Sequence, residues 1–157
     1  DGSSIDVFRI SSNKDLEDAI ADSVDPRRAF ILEESIDFKE LTVPILSGRC
    51  LPAVEIKTSE SFYNFNAKYL NEDTQLTELV LSEDKKNELE EICLKTLDVM
   101  GCSGWLRVDL MQDRKNNFYV LEVNTAPGMT SHSLFPKSAE SIGLSYNDLV
   151  QEIINAQ

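Results

Sequence analysis

This sequence of 157 residues is most informative first in what it lacks. No run approaches the roughly 20 apolar residues that a membrane helix requires. The opening "DGSSIDVF" carries neither the basic nor the apolar region of a secretory signal. Cysteine is scarce: Cys50, Cys93 and Cys102 are odd in number and show no Cys-x-x-Cys spacing. That argues against a disulfide framework or a zinc site and fits a reducing, cytosolic compartment. Positive charge is in deficit, with 15 Lys and Arg against 28 Asp and Glu, a net charge of -13. A protein that binds nucleic acid by neutralising its backbone is therefore not expected. A nucleotide site needs only a few local cations and a metal ion, so it stays open. The single histidine, His132, has no Cys or Asp pattern around it and reads as a bystander in a turn. There is no internal repeat and no low-complexity segment.

What is present suffices for a core, since 41% of residues are hydrophobic. The length suits one domain, or one lobe and a piece of another. The start without Met suggests a piece of something longer. Ser12 reads as the cap of a helix, with Asp15 three residues on and Leu16, Ala19 and Ile20 as its apolar stripe. Residues 29–32 read as a strand ending in Glu33. Residues 41–46 and 51–56 read as two strands joined around Ser47-Gly48-Arg49, with Pro44 and Pro52 suggesting irregular or edge pairing. Residues 57–81 are polar and loop-like, and carry Phe62, Tyr63, Phe65 and Tyr69. Ser82 caps the strongest helical pattern, Leu89, Ile92, Cys93, Thr96, Leu97 and Met100, with Gly101 as its stop. Residues 106–111 and 118–123 form a second hairpin across "QDRKNN". A short helix over 136–142 follows. A last helix is capped by Ser145, with Leu149, Val150, Ile153 and Ile154 facing inward. Trp105 reads as core. This order of elements predicts an α+β fold with an antiparallel sheet flanked by helices.

The second hairpin holds the chemistry. Alternation puts Arg107, Asp109 and Met111 on one face of "LRVDLM" and Leu106, Val108 and Leu110 on the other. On "VLEVN", Glu122 and Asn124 share a face. A turn near Lys115 sets Asp109 roughly opposite Glu122. Three oxygen ligands and a guanidinium then converge, a donor set suited to Mg²⁺ and to phosphoryl transfer. From spacing alone, a solvated hairpin face reads equally well. Pro127-Gly128, directly after, tips the reading by offering an open backbone N–H beside the carboxylates, as an oxyanion donor requires. "DGSS" at residues 1–4 is a weaker candidate phosphate loop. Lys68-Tyr69 reads as a phosphate cation and a hydroxyl, or as a surface Lys beside a packed Tyr. Glu33 and Glu40 flank an acidic stretch that suits adenine and ribose but is also an ordinary acidic loop.

The stretches "GCSGWLRVDLM", "YVLEVNTAPGMTSHSLFPKSA" and "FYNFNAKY" closely resemble the D-alanine–D-alanine ligases of the ATP-grasp superfamily. The likeness covers essentially the whole chain and is most specific over its last forty or so residues. The resemblance implies that Asp109, Glu122 and Asn124 hold two Mg²⁺ ions, or Mn²⁺, between the phosphates of ATP, with Glu122 bridging. It implies that Lys68 contacts phosphate and that Glu33 and the backbone near Ile36 hold the adenine edge. Phe62 and Met111 would pack on the adenine faces, Glu40 would bind ribose, and a loop would close on the triphosphate through Ser3 and Ser4. Arg107 and the N–H of Gly128 would stabilise the tetrahedral intermediate. Ser133 and the backbone of Leu134 would take the carboxylate of the second D-alanine, and Tyr69 goes with D-alanine rather than D-lactate there. The implied reaction passes through an acyl phosphate and serves peptidoglycan precursor synthesis in the cytoplasm. The implied full-length protein is a homodimer, without nucleic acid or membrane as partner.

Two departures stand out. The Pro-containing turn that this family carries after the position of Thr74-Gln75 is replaced by "LTELVLSEDKK". The family's first-substrate domain and further phosphate-binding lysines have no counterpart here, so the chain alone is expected to be inactive. Residues 1–33 are expected to end the central ATP-grasp lobe, and 34–157 to form the carboxy-terminal lobe. Two other readings stand beside this one: a different ATP-grasp carboxylate–amine ligase, and a non-catalytic acidic metal-binding module.

Overall fold

Alternation along two strands decides where the core lies. The computed structural model describes residues 6–36, 38–57, 75–130 and 133–156. The chain forms two units, Asp1–Ile36 with Thr58–Thr74, and Asp37–Lys57 with Gln75–Gln157.

In the first unit, helix α1 (Asn13–Asp22) is capped as expected: Ser12 Oγ accepts the Asp15 N–H at 3.1 Å. Asp15 Oδ2 accepts the N–H of Ser11, the residue before the cap, at 2.9 Å, so the cap and its third helical residue are tied in both directions. The strand expected over 29–32 is absent. Phe30, Ile31 and Leu32 are exposed, and among the described residues no strand pairs with them. Strand-prone side chains make a strand only where a neighbour accepts their backbone groups.

The second unit is one antiparallel sheet with helices. Its strands are β1 (Lys39–Leu46), β2 (Arg49–Cys50), β3 (Val54–Lys57), β4 (Gln75–Glu78), β5 (Trp105–Gln112) and β6 (Phe118–Asn124). Its helices are α2 (Glu83–Met100), α3 (Leu134–Ser141) and α4 (Tyr146–Asn155). The order is β4-β3-β1-β5-β6, with β2 also on β1. The expected α+β class holds. At the end of the stretch that reads as a loop, Gln75–Glu78 form a strand instead, pairing with β3 from Lys57↔Gln75 to Val54↔Glu78; residues 58–74 lie outside the described residues.

Pro44 sits in a central strand rather than at an edge. β1 pairs with β5 along its whole length, from Lys39↔Gln112 to Leu46↔Trp105. The irregularity lies on the other side. There the ladder to β3 ends at Thr42↔Val54 and the ladder to β2 starts at Ile45↔Cys50. The Pro44 carbonyl accepts the Leu51 N–H at 2.8 Å across that gap, so the missing proline N–H falls where the ladder is already broken.

One face of the sheet is dry. Leu41, Val43 and Ile45 of β1 and Leu106, Val108 and Leu110 of β5 pack on Leu89, Cys93 and Leu97 of α2. On the opposite face, α3 and α4 pack on the end marked by Leu46 and Trp105, through Phe135, Ala139, Leu149 and Ile153. Trp105 is core as expected and meets Phe135 edge-on, with ring centroids 5.7 Å apart. Leu149 and Ile153 face inward, but Ile154 is exposed, because one further helical step carries it past the contact.

Candidate active site

The geometry of the site starts from the β5–β6 turn. Asp113 Oδ1 accepts the N–H groups of Lys115 at 2.8 Å and Asn117 at 2.9 Å. Its Oδ2 accepts Asn117 Nδ2 at 2.9 Å and the Tyr119 hydroxyl at 3.1 Å. These donors, the Asn117 backbone N–H foremost, hold the carboxyl down from its ordinary 3.8 to about 2. A turn fixed this firmly fixes the register. Asp109 stands opposite Glu122, as the spacing predicts, and Arg107 opposite Asn124. The register then slips: Leu110 faces Val120, and Leu121 is the extra residue of a bulge. Plain alternation would set Phe118 on the face of Glu122. The bulge sends it to the dry face, where it is buried in the core.

Asp109 is only 6% exposed. Arg107 grips it at two points, Nε to Oδ1 at 2.8 Å and Nη2 to Oδ2 at 2.7 Å. The Thr42 hydroxyl donates to Oδ1 at 2.6 Å from the neighbouring strand. Thr42 is fully buried and directly opposite Asp109 in the β1–β5 ladder. Sequence reading passed over it. The signal was there: a threonine inside an apolar strand, in phase with the polar face.

Glu122 is half-buried, and among the described residues no donor lies at hydrogen-bond distance from its carboxylate. Asn124 Oδ1 accepts the Ala126 N–H at 3.1 Å, which turns the chain out of β6. Among the described residues no group of three or more His, Cys, Asp or Glu could hold a metal ion. The set here is two carboxylates and an amide. Its open acceptors are the Glu122 oxygens, one lone pair on Asp109 Oδ2 and one on Asn124 Oδ1. An all-oxygen, incomplete set of this kind fits Mg²⁺, which keeps waters and takes phosphate oxygens for the rest of its shell.

Along the same face, Glu40 and Met111 are directly opposite each other and half-buried, two residues on from Thr42 and Asp109. In the first unit, Glu33 is exposed and Ile36 half-buried in a segment without regular structure. Ser3, Ser4, Phe62, Lys68 and Tyr69 lie outside the described residues, as does His132.

Beyond Asn124 the chain folds tightly. Among the described residues the Gly128 N–H has no partner. A Cβ at Gly128 would stand 2.9 Å from Ser133 Oγ, so any side chain there has to push that hydroxyl aside. Ser133 Oγ accepts the Thr130 N–H at 3.0 Å and lies 2.9 Å from Thr130 Oγ1. Ser133 is the N-cap of α3 yet makes no side-chain capping bond, which leaves first-turn donors open beside buried Leu134. Tyr146, at the start of α4, donates its hydroxyl to the Met129 carbonyl at 2.9 Å and steadies this loop. Nothing in the spacing singled Tyr146 out. Among the described residues, no helix is long and apolar enough to cross a membrane.

Known proteins share this architecture. Residues 1–155 match the family model "D-ala D-ala ligase C-terminus". The D-alanine–D-alanine ligase of Haemophilus ducreyi is 41% identical over 98% of this chain, and that of Saccharophagus degradans 42% over 98%. This chain spans about half the length of these relatives, 51% and 49%. Among solved structures, the Bacillus anthracis ligase complexed with ATP aligns at 33% identity and a TM-score of 0.68, covering 79% of this chain and 39% of that one. The VanG D-Ala:D-Ser ligase of Enterococcus faecalis aligns at 26% identity and a TM-score of 0.79, covering 98% and 46%. With the sheet, the hairpin and the loop after Asn124 in place, the chain belongs to the D-alanine–D-alanine ligase family, to its carboxy-terminal part.

Proposed function

We propose that this chain is the nucleotide- and metal-handling part of a ligase that uses ATP to join two D-alanines into D-alanyl-D-alanine for peptidoglycan precursors. The observation that carries the reading is the face on which Asp109 stands opposite Glu122 and Arg107 opposite Asn124. The ATP complex of the related Bacillus anthracis ligase supports the choice of nucleotide.

In this reading Asp109, Glu122 and Asn124 hold two Mg²⁺ or Mn²⁺ ions, which when bound neutralise the phosphate charge. Glu40 takes the ribose hydroxyls, Met111 and Phe62 pack on adenine, and Glu33 with the backbone at Ile36 holds its edge. Lys68 and the backbone of Ser3 and Ser4 hold phosphate. The carboxylate of the first D-alanine takes the γ-phosphoryl group of ATP, giving an acyl phosphate and ADP. The amine of the second D-alanine attacks that carbonyl and phosphate leaves. Arg107, oriented by Asp109, and the Gly128 N–H stabilise the oxyanion between these events. Ser133 and the Leu134 N–H, at the start of α3, receive the second carboxylate, and Tyr69 guards that position.

Residues 1–33 then close the central lobe and 34–157 form the carboxy-terminal lobe. Turnover requires the other half of the family's length, and the whole protein is a cytoplasmic homodimer with neither nucleic acid nor membrane as partner. The test is phosphate release by the full-length protein with ATP, Mg²⁺ and D-alanine, against L-alanine, D-lactate and D-serine. Phosphate with D-alanine, and D-alanyl-D-alanine among the products, is expected. A mixed D-alanyl-D-serine product, which the VanG likeness makes worth testing, would keep the ligase and replace the second substrate. ATP binding with no product from any of these would discard the substrate assignment.

A further inference from the structure

The buried polar contact that the reaction scheme leaves unused is Thr42 to Asp109. It is the only described hydrogen bond that ties the Asp109 carboxylate to another strand, since Arg107 grips it from two residues away on the same one. Thr42 Oγ1 and Arg107 Nε both donate to Oδ1, which fills both lone pairs of that oxygen. Arg107 Nη2 takes one lone pair of Oδ2, and one remains.

We propose that Thr42 is a positioning residue for cation binding: its hydroxyl pins Asp109 so that the carboxylate can offer a cation a single lone pair of Oδ2. This rests on the metal assignment proposed above. Without the hydroxyl, Oδ1 keeps an unsatisfied acceptor on a carboxylate that is only 6% exposed. The carboxylate is then free to turn about the grip of Arg107 and to present either oxygen, or both. Partners that orient a metal ligand in this way typically change metal affinity by about 10- to 100-fold. Thr42→Val keeps the branched shape and removes only the hydroxyl, so its effect separates orientation from packing. Thr42→Ser and Thr42→Ala lose the same methyl, and only the first keeps the donor.

The experiment is MnCl₂ titration of the full-length protein with a non-hydrolysable ATP analogue, with free Mn²⁺ read by electron paramagnetic resonance and folding by thermal melting. About tenfold weaker Mn²⁺ binding is expected for Thr42→Val, with near-native affinity in Thr42→Ser. Should Thr42→Val fail to fold, Thr42→Ala must bind Mn²⁺ more weakly than Thr42→Ser. Native Mn²⁺ affinity in a folded Thr42→Val, or equal affinity in Thr42→Ser and Thr42→Ala, overturns the inference. Glu122→Gln separates the two levels. If it weakens Mn²⁺ binding while Thr42→Val does not, only the role of Thr42 falls. If neither changes binding, or the unaltered protein binds no Mn²⁺, the metal assignment falls and the inference with it.

Discussion

Strands β1 and β5 have two faces, and these do different work. One carries Leu41, Val43, Ile45, Leu106, Val108 and Leu110 against α2 and is apolar over that stretch. The other carries Glu40, Thr42, Arg107, Asp109 and Met111, paired in register with each other and with Glu122 and Asn124. Burial does not separate them, because Thr42 and Asp109 are nearly as inaccessible as the leucines behind them. What separates them is the kind of interaction. The dry face is held by area, which tolerates reshaping at a graded cost. The polar face is held by directed bonds, which fail one at a time and leave a specific group unsatisfied.

Arg107→Ala puts the largest strain on this comparison. It leaves Asp109 buried without its cation, and losing one partner of such a pair costs roughly 3–5 kcal/mol. Denaturant unfolding should show that loss, and in the full-length enzyme kcat should fall further than ATP affinity. Unchanged stability would mean the pair is not buried in solution. On the dry face, Leu110→Ala should cost about 2–5 kcal/mol by the same assay and leave Mn²⁺ affinity of the folded fraction near native. Glu122→Gln should do the reverse. Its melting should stay within about 0.5 kcal/mol of native, as for a side chain without a partner to lose. Divalent-dependent nucleotide binding should weaken at least tenfold, about 1.4 kcal/mol. Normal turnover in that variant would sink the metal assignment. Gly128→Ala must push Ser133 Oγ aside, which costs under about 1 kcal/mol in stability and shows instead as a raised KM for the second substrate.

The smallest effect concerns the turn that aligns the two faces. The Asp113 carboxyl is held at about 2 in the folded protein, below its ordinary 3.8. A depressed carboxyl stabilises the fold above its unfolded value and loses that contribution as pH falls toward the folded one. Acid should therefore loosen the hairpin between about pH 4 and pH 2. Asp113→Asn should flatten melting temperature over that window, and an unchanged slope would remove Asp113 as the clasp.

Much of this was legible in the residues. Alternation placed Arg107, Asp109 and Met111 on one face, and the turn chemistry of "QDRKNN" was enough to set Asp109 against Glu122. The capping of α1 and α4 by Ser12 and Ser145 followed from local spacing alone. Two kinds of feature did not follow. Pairing partners set by the rest of the fold decided that residues 29–32 are not a strand and that Gln75–Glu78 is one. Cross-strand bonds, such as Thr42 to Asp109 over 67 positions, exist only once the ladder between β1 and β5 has chosen its register.

The bulge at Leu121 gives β6 one residue more than its ladder uses. Substituting Leu121, which is exposed and unopposed, changes little in the ladder. Deleting it would leave every pair of the ladder in place, with Val120 following Glu122 directly and Phe118 still opposite Gln112 on the dry face. A second inserted residue is what would turn Phe118 out of the core and bring Tyr119 in. Variation at this point should therefore run freely in residue type and admit a one-residue gap, while an insertion is shut out. A library that randomises or removes position 121 should yield mostly folded protein, and one that adds a residue there far less.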